Sequence, residues 1–141
     1  MKADAGKWAE REAKLWLEKH SSEILAFAWH RYPDARAARG ALAAQPADFL
    51  IANGSTYHLE VKETAQVNRL PKAKISQYGT LLKFHYAGVI PYVVVYRSAC
   101  KDWVCLGPVE LFGFDECPAS FDMTQRPTFA TCGEILRSLF T

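Results

Sequence analysis

The chain has 141 residues, half of them hydrophobic and 13% aromatic, and a formal net charge of +2 at pH 7. Such a length and apolar content suit one domain with a real core, and the balanced charge excludes an intrinsically disordered chain. The near-neutral total does not announce a nucleic-acid binder, yet it leaves room for a local basic patch.

The opening "MKADAGKWAEREAKLWLEKH" is charged throughout and lacks an apolar h-region, so no signal peptide is expected and a cytosolic location is the default. Trp8, Ala9, Ala13, Trp16, Leu17 and His20 recur at three- and four-residue spacing, which predicts a helix over roughly 5–20. "HSSE" (20–23) breaks it or caps a second helix over "ILAFAWHRY", which Pro33 would end. The stretch 34–47 is expected to be an irregular, partly helical connection carrying Arg36 and Arg39. Two strands follow, about 48–52 and 56–62, then a loop at "NRLP". A helix is expected over about 72–87, with Ile75, Tyr78, Leu81, Leu82 and His85 on one face and Gly88 as its stop.

The longest apolar run, "AGVIPYVVVY" (87–96), contains Pro91 and is too short to cross a membrane, and "IPYVVVYR" (90–97) reads as a buried strand. Its neighbour is "WVCLG" (103–107), followed by a helical turn at "PVELFGF" and an irregular stretch, 115–128. Thr131 and Glu134 form a capping box for a last helix over "CGEILRSLF". The order predicts a small α/β domain with a mixed sheet and helices packed on it. Cys100, Cys105, Cys117 and Cys132 contain no C-x-x-C pair, so they read as small hydrophobes rather than a zinc site. A Cys100–Cys105 contact across a hairpin is the one pairing left open. Trp8, Trp16, Trp29 and Trp103 are expected in the core, and His20, His30 and His85 on helices at its rim.

The stretch "DFLIANGSTYHLEVKET" (48–64) carries the chemistry. Strand side chains alternate faces. Tyr57, Leu59 and Val61 therefore point one way, with His58, Glu60 and Lys62 opposite. Phe49 and Ile51 must share the apolar side, which forces odd positions to pair with odd and even with even. A three-residue loop, 53–55, pairs Ala52 with Thr56 and hence Asp48 with Glu60. The hydrophobic pattern alone thus brings Asp48 and Glu60 together on one face, expected to point away from the core, with Lys62 beside them. Two adjacent carboxylates repel unless a cation lies between them or one is protonated. Mg²⁺ suits such a pair, since it takes hard oxygen ligands and keeps waters or phosphate oxygens elsewhere; the Val61 carbonyl is a further candidate oxygen. His58 shares the face as a bystander. The bland alternative makes Asp48 a turn cap and Glu60 and Lys62 a solvated strand face.

An Asp, a short gap and Glu-x-Lys on a hairpin resemble the PD-(D/E)xK nuclease superfamily, with Pro46-Ala47-Asp48 holding one residue more than the usual Pro-Asp. "GKWAER" (6–11) resembles the helix start of the archaeal Holliday-junction resolvases and points to Glu10 as an additional acid; Glu12 is the alternative. "LEVKET…LPKAKISQYGTLLKFHYAG" is similar to RecU-type junction resolvases of bacteria and their phages, matching Lys62, Glu63, Thr64 and Gln77. The resemblance spans roughly 46–107. It implies a single nuclease domain over 1–141 with a restriction-endonuclease-like core, a central mixed β-sheet flanked by helices. It further implies a Mg²⁺-dependent DNA endonuclease, with Mn²⁺ expected to substitute. Asp48, Glu60 and Val61 would hold the metal, with Glu10, Lys62 and Gln77 assisting catalysis. Arg36, Arg39, Lys72 and Lys74 become candidate DNA contacts, and solvated helix-start lysines are the plainer reading of the last two. The implied substrate is a four-way junction or other branched DNA, cut by a twofold homodimer in phage or bacterial recombination. The alternatives are a nuclease of restriction- or repair-type substrates and a non-catalytic DNA-binding module on the same fold.

Overall fold

A computed structural model describes residues 2–33 and 45–141. The first helix, α1 (Lys2–Glu23), carries Ala9, Ala13 and Leu17 fully buried on one face, as its periodicity predicts. The second helix expected over 24–32 does not form. That segment is a turn followed by an edge strand, β1 (Ala28–Arg31). Its aromatic residues alternate with a period of two: Phe27 is buried and Trp29 half-buried, while Ala28 and His30 are exposed. β-prone aromatics at that spacing outweigh the helix-forming "ILA" before them. His30 is therefore an exposed strand residue rather than a helical one.

β1 pairs antiparallel with β2 (Phe49–Ala52), and β2 with β3 (Thr56–Thr64). Between them the chain turns through residues 53–55. Asn53 N–H bonds Ser55 O at 3.1 Å, and Gly54, at φ 108°, takes a conformation that side chains resist. The register matches Ala52 with Thr56 and Phe49 with Leu59, as the pattern requires. "NRLP" is not a plain loop: β4 (Arg69–Pro71) pairs with β7 (Ser120–Asp122), which lies in the stretch expected to be irregular. Three-residue strands leave almost no periodicity to find; Leu70 opposite Phe121, both buried, holds the pair together.

The helix expected from 72 begins later. A 3₁₀ turn spans Lys72–Lys74, and α2 runs Tyr78–Tyr86, ended by Gly88 at φ 105°. β5 (Ile90–Arg97) lies parallel to β3 and antiparallel to β6 (Asp102–Leu106). A short α3 (Pro108–Phe112) and α4 (Cys132–Phe140) complete the elements. The Thr131 side chain accepts from Glu134 N–H at 3.1 Å and caps α4. All four cysteines are free thiols. Cys100 stands exposed in the β5–β6 turn and Cys105 buried opposite Val94, so the two do not pair.

The main sheet has the order β1-β2-β3-β5-β6 and is covered on both faces. On one face α1 and α4 enclose Phe49, Ile51, Leu59, Val61, Val94 and Trp103. On the other, α2, α3 and the β4–β7 pair enclose Val93, Val95, Val104 and Leu106. Trp103 is buried, but Trp8, expected in the core, is 38% exposed with its edge against Tyr96. The fold is an α/β core with a mixed sheet of five strands flanked by helices.

Candidate active site

Asp48, one residue before β2, stands where the β2–β3 register places it against Glu60. Two bonds fix it. Its backbone carbonyl accepts from Tyr32 N–H at 2.9 Å, and its Oδ2 accepts from Val61 N–H at 2.8 Å. Val61 thus meets Asp48 through its amide, while its side chain is part of the α1–α4 core. The Asp48 and Glu60 carboxyls lie within hydrogen-bonding reach of each other, and Lys62 Nζ is 3.6 Å from Glu60 Oε1.

The face that carries them does not open to solvent as expected. β3 runs between β2 and β5, with α2 packed over the β5 side, and Glu60 is only 6% exposed. Burial drives its carboxyl well above the usual carboxylate range. The Asp48 charge pushes the same way, and Lys62 pulls back. A buried acid against a second acid keeps a proton unless a cation replaces it.

His58, two residues before Glu60 on the same face, is buried, and burial lowers its pKa. Its Nε2 lies 3.0 Å from the Tyr32 hydroxyl, and its ring edge meets Phe84 at 4.8 Å. Among the described residues its Nδ1 has no hydrogen-bond partner. His58 is therefore a packed neighbour of the acid pair rather than one of its members. Tyr32 went unnoticed in the sequence, since its role depends on a backbone bond across the sheet.

The additional helix acid sits elsewhere. Glu10 Oε1 accepts from Arg31 Nε at 2.8 Å, and the same guanidinium completes the ion pair through NH2. Arg31 is opposite Phe49 in the register and shares its α1–α4 face of the sheet, whereas Asp48 and Glu60 have the opposite parity. Glu12 points toward the start of α4, where its charge joins burial in pushing the Cys132 thiol up to about 12.

Gln77 precedes α2 and is half-buried; its carbonyl accepts from Leu81 N–H at 2.9 Å. Lys72 and Lys74 are exposed on the 3₁₀ turn. Arg36 and Arg39 lie outside the described residues. Thr64 is buried, and its hydroxyl accepts from Gln66 N–H at 3.1 Å, a turn-forming role.

Among the described residues no three His, Cys, Asp or Glu side chains converge as a metal cluster. A pair of carboxylates nevertheless suits Mg²⁺, which is commonly held by one or two carboxylates with waters and substrate phosphates completing its shell.

No family model matches the chain, and no curated protein matches it. Among solved structures it is similar to Hjc from Archaeoglobus fulgidus, described as a Holliday junction resolvase from an archaeal hyperthermophile. The TM-score is 0.52 at 19% identity, over 92% of this chain and 98% of that one. The likeness establishes the fold.

Proposed function

We propose that this chain is a divalent-metal-dependent DNA endonuclease, acting on four-way junctions or other branched DNA as a homodimer. The supporting observation is the joint position of three groups. Asp48 and Glu60 lie within reach of one another, and the Lys62 ammonium is 3.6 Å from Glu60. The fold they occupy is shared with a protein described as a junction resolvase.

Asp48 and Glu60 would hold Mg²⁺, or Mn²⁺ in its place. The bound ion supplies charge neutralisation at the phosphoryl oxygens and a more acidic water. Lys62 orients the attacking water and holds negative charge that develops on the phosphate. Water attacks phosphorus in line and the 3′ oxygen leaves, giving a 5′-phosphate end. Asp48 keeps its orientation through the Val61 amide, which leaves its remaining lone pairs for the ion. Glu10 is the reserve acid, Gln77 a contact near the scissile phosphate, and Lys72, Lys74, Arg36 and Arg39 phosphate contacts. Paired cuts at a junction need a twofold dimer.

The test offers purified protein with Mg²⁺ a four-way junction, a linear duplex and a single strand. Paired nicking of the junction alone is the expected result. Cleavage of the linear duplex would move the substrate to restriction- or repair-type DNA. Binding without cleavage in both Mg²⁺ and Mn²⁺ would make the chain a non-catalytic DNA-binding module.

A further inference from the structure

Tyr32, Asp48, His58 and Glu60 share one face of the sheet. β1, β2 and β3 are neighbours in that order, and the register sets His30 against Leu50 and Leu50 against His58, so even positions of all three lie on the same side. Tyr32 directly follows β1, and its N–H bonds the Asp48 carbonyl at 2.9 Å. Its hydroxyl lies 3.0 Å from His58 Nε2. Since Tyr32 is on the β1 side and His58 is on β3, this side-chain bond crosses over β2. The acid pair closes the circuit. Asp48 Oδ2 accepts from Val61 N–H at 2.8 Å, and Val61 adjoins Glu60, which stands two residues after His58. The three strands are thereby tied into a ring of contacts that contains both acids.

His58 is an unfavourable residue for its place. It is 1% exposed and packed against Phe84, and its Nδ1 has no hydrogen-bond partner among the described residues. A buried polar atom without a partner is destabilising, and an apolar side chain would avoid that loss. What the imidazole supplies, and no apolar side chain can, is the bond to Tyr32. β1 is an edge strand, and Tyr32 stands at its end with Pro33 next, where a strand frays most easily. If that end opened, its hold on the Asp48 backbone would open with it. The spacing of the acids matters for the ion they accept. Mg²⁺ demands near-ideal geometry with oxygens at about 2.0–2.1 Å, whereas Ca²⁺ accepts longer and more variable bonds. We infer that Tyr32 is a positioning residue: braced by His58, it fixes the Asp48–Glu60 pair at a spacing that favours a small divalent ion over a large one. Removing the brace leaves both carboxylates present and loosens the distance between them. This inference rests on the nuclease reading above, since it concerns the same cation site.

Ion binding tests it, with no DNA and no turnover. Mn²⁺ stands in for Mg²⁺ and is followed by electron paramagnetic resonance; Ca²⁺ is measured by its competition with Mn²⁺. The proteins compared are wild type, Tyr32→Phe, His58→Gln and His58→Asn. A Gln amide reaches the place of Nε2, whereas Asn ends near that of Nδ1 and falls short of Tyr32. Tyr32→Phe should weaken Mn²⁺ binding about tenfold, the lower end for outer-shell partners of a metal site, and change Ca²⁺ binding little, so that the preference for the smaller ion falls. His58→Asn should do the same, and His58→Gln should restore most of the Mn²⁺ affinity. A smaller folded fraction would lower both affinities together, and circular dichroism at the binding temperature measures that fraction. Unchanged Mn²⁺ affinity in Tyr32→Phe overturns the brace. So does an equal loss for both ions, or a His58→Gln protein no better than His58→Asn. If Tyr32→Phe does not fold, the two His58 variants decide. Asp48→Asn separates the two ideas. If Mn²⁺ binding does not depend on Asp48, the nuclease reading itself fails; if it does and Tyr32→Phe binds as wild type, only the brace fails.

Discussion

Replacing Glu60 with Gln should make the metal-free protein more stable, although it removes a residue proposed to be essential. The Glu60 side chain is 8% exposed, lies against Asp48 and has Lys62 Nζ at 3.6 Å. Charging it costs desolvation and repulsion from Asp48, offset in part by Lys62. Gln is isosteric, keeps hydrogen-bonding capacity and removes the first two costs. Lys62 is 26% exposed on its side chain and remains solvated without its partner. The net gain at pH 7 should be about 1–2 kcal/mol, the usual size of relief at a strained functional position, or about 3 °C in Tm per kcal/mol.

The pH dependence has a definite sign. A folded-state pKa above the ordinary 4.5 means that the native state binds more protons than the unfolded state in the window above 4.5. Stability from this group is fully present below that value and is lost as pH rises toward the folded pKa. Urea unfolding in EDTA at several values from pH 4 to pH 8 measures this. Wild type should lose stability across the window relative to Glu60→Gln. A variant less stable than wild type at pH 7, or parallel pH curves, would refute the reasoning.

Other outcomes follow from the same geometry. Adding Mg²⁺ at about 100 times its Kd should stabilise wild type by about 2.7 kcal/mol in a thermal melt, and Glu60→Gln and Asp48→Asn by far less. Lys62→Ala should lower the cleavage rate by at least about 10²-fold while junction binding and circular dichroism stay near wild type. Tyr32→Phe removes the one hydrogen-bond partner that the buried His58 ring has among the described residues and should cost about 1–3 kcal/mol in urea unfolding. Leu59→Ala, at a fully buried position in the α1–α4 core, should cost about 2–5 kcal/mol by the same assay.

The hairpin was legible because two rules agree on it. The alternation of Phe49, Ile51, Tyr57, Leu59 and Val61 admits only one parity of pairing, and a three-residue turn at Asn53-Gly54-Ser55 supplies it. The last helix was equally plain, since Thr131 and Glu134 mark its start. β1 was hidden because "ILAF" favours a helix locally, and only the aromatic alternation of Phe27 and Trp29 betrays a strand whose stability comes from β2.

The burial of Glu60 was hidden for a different reason. A strand beside a parallel neighbour is covered on both faces, and the unbroken apolar run of β5 carries that information for β3. Two cores thus enclose a sheet where one was expected. The Glu10–Arg31 pair joins residues 21 apart across a helix and a strand. No local pattern predicts it, because it depends on how α1 crosses β1.

The central claim is that the Asp48–Glu60 pair holds a divalent ion. Crystals grown with Mn²⁺ and measured at the manganese absorption edge test it directly. The account predicts an anomalous peak bonded to carboxylate oxygens of both Asp48 and Glu60, lost in Asp48→Asn. A peak elsewhere, or none at these two residues in a protein that still cuts DNA, would contradict it.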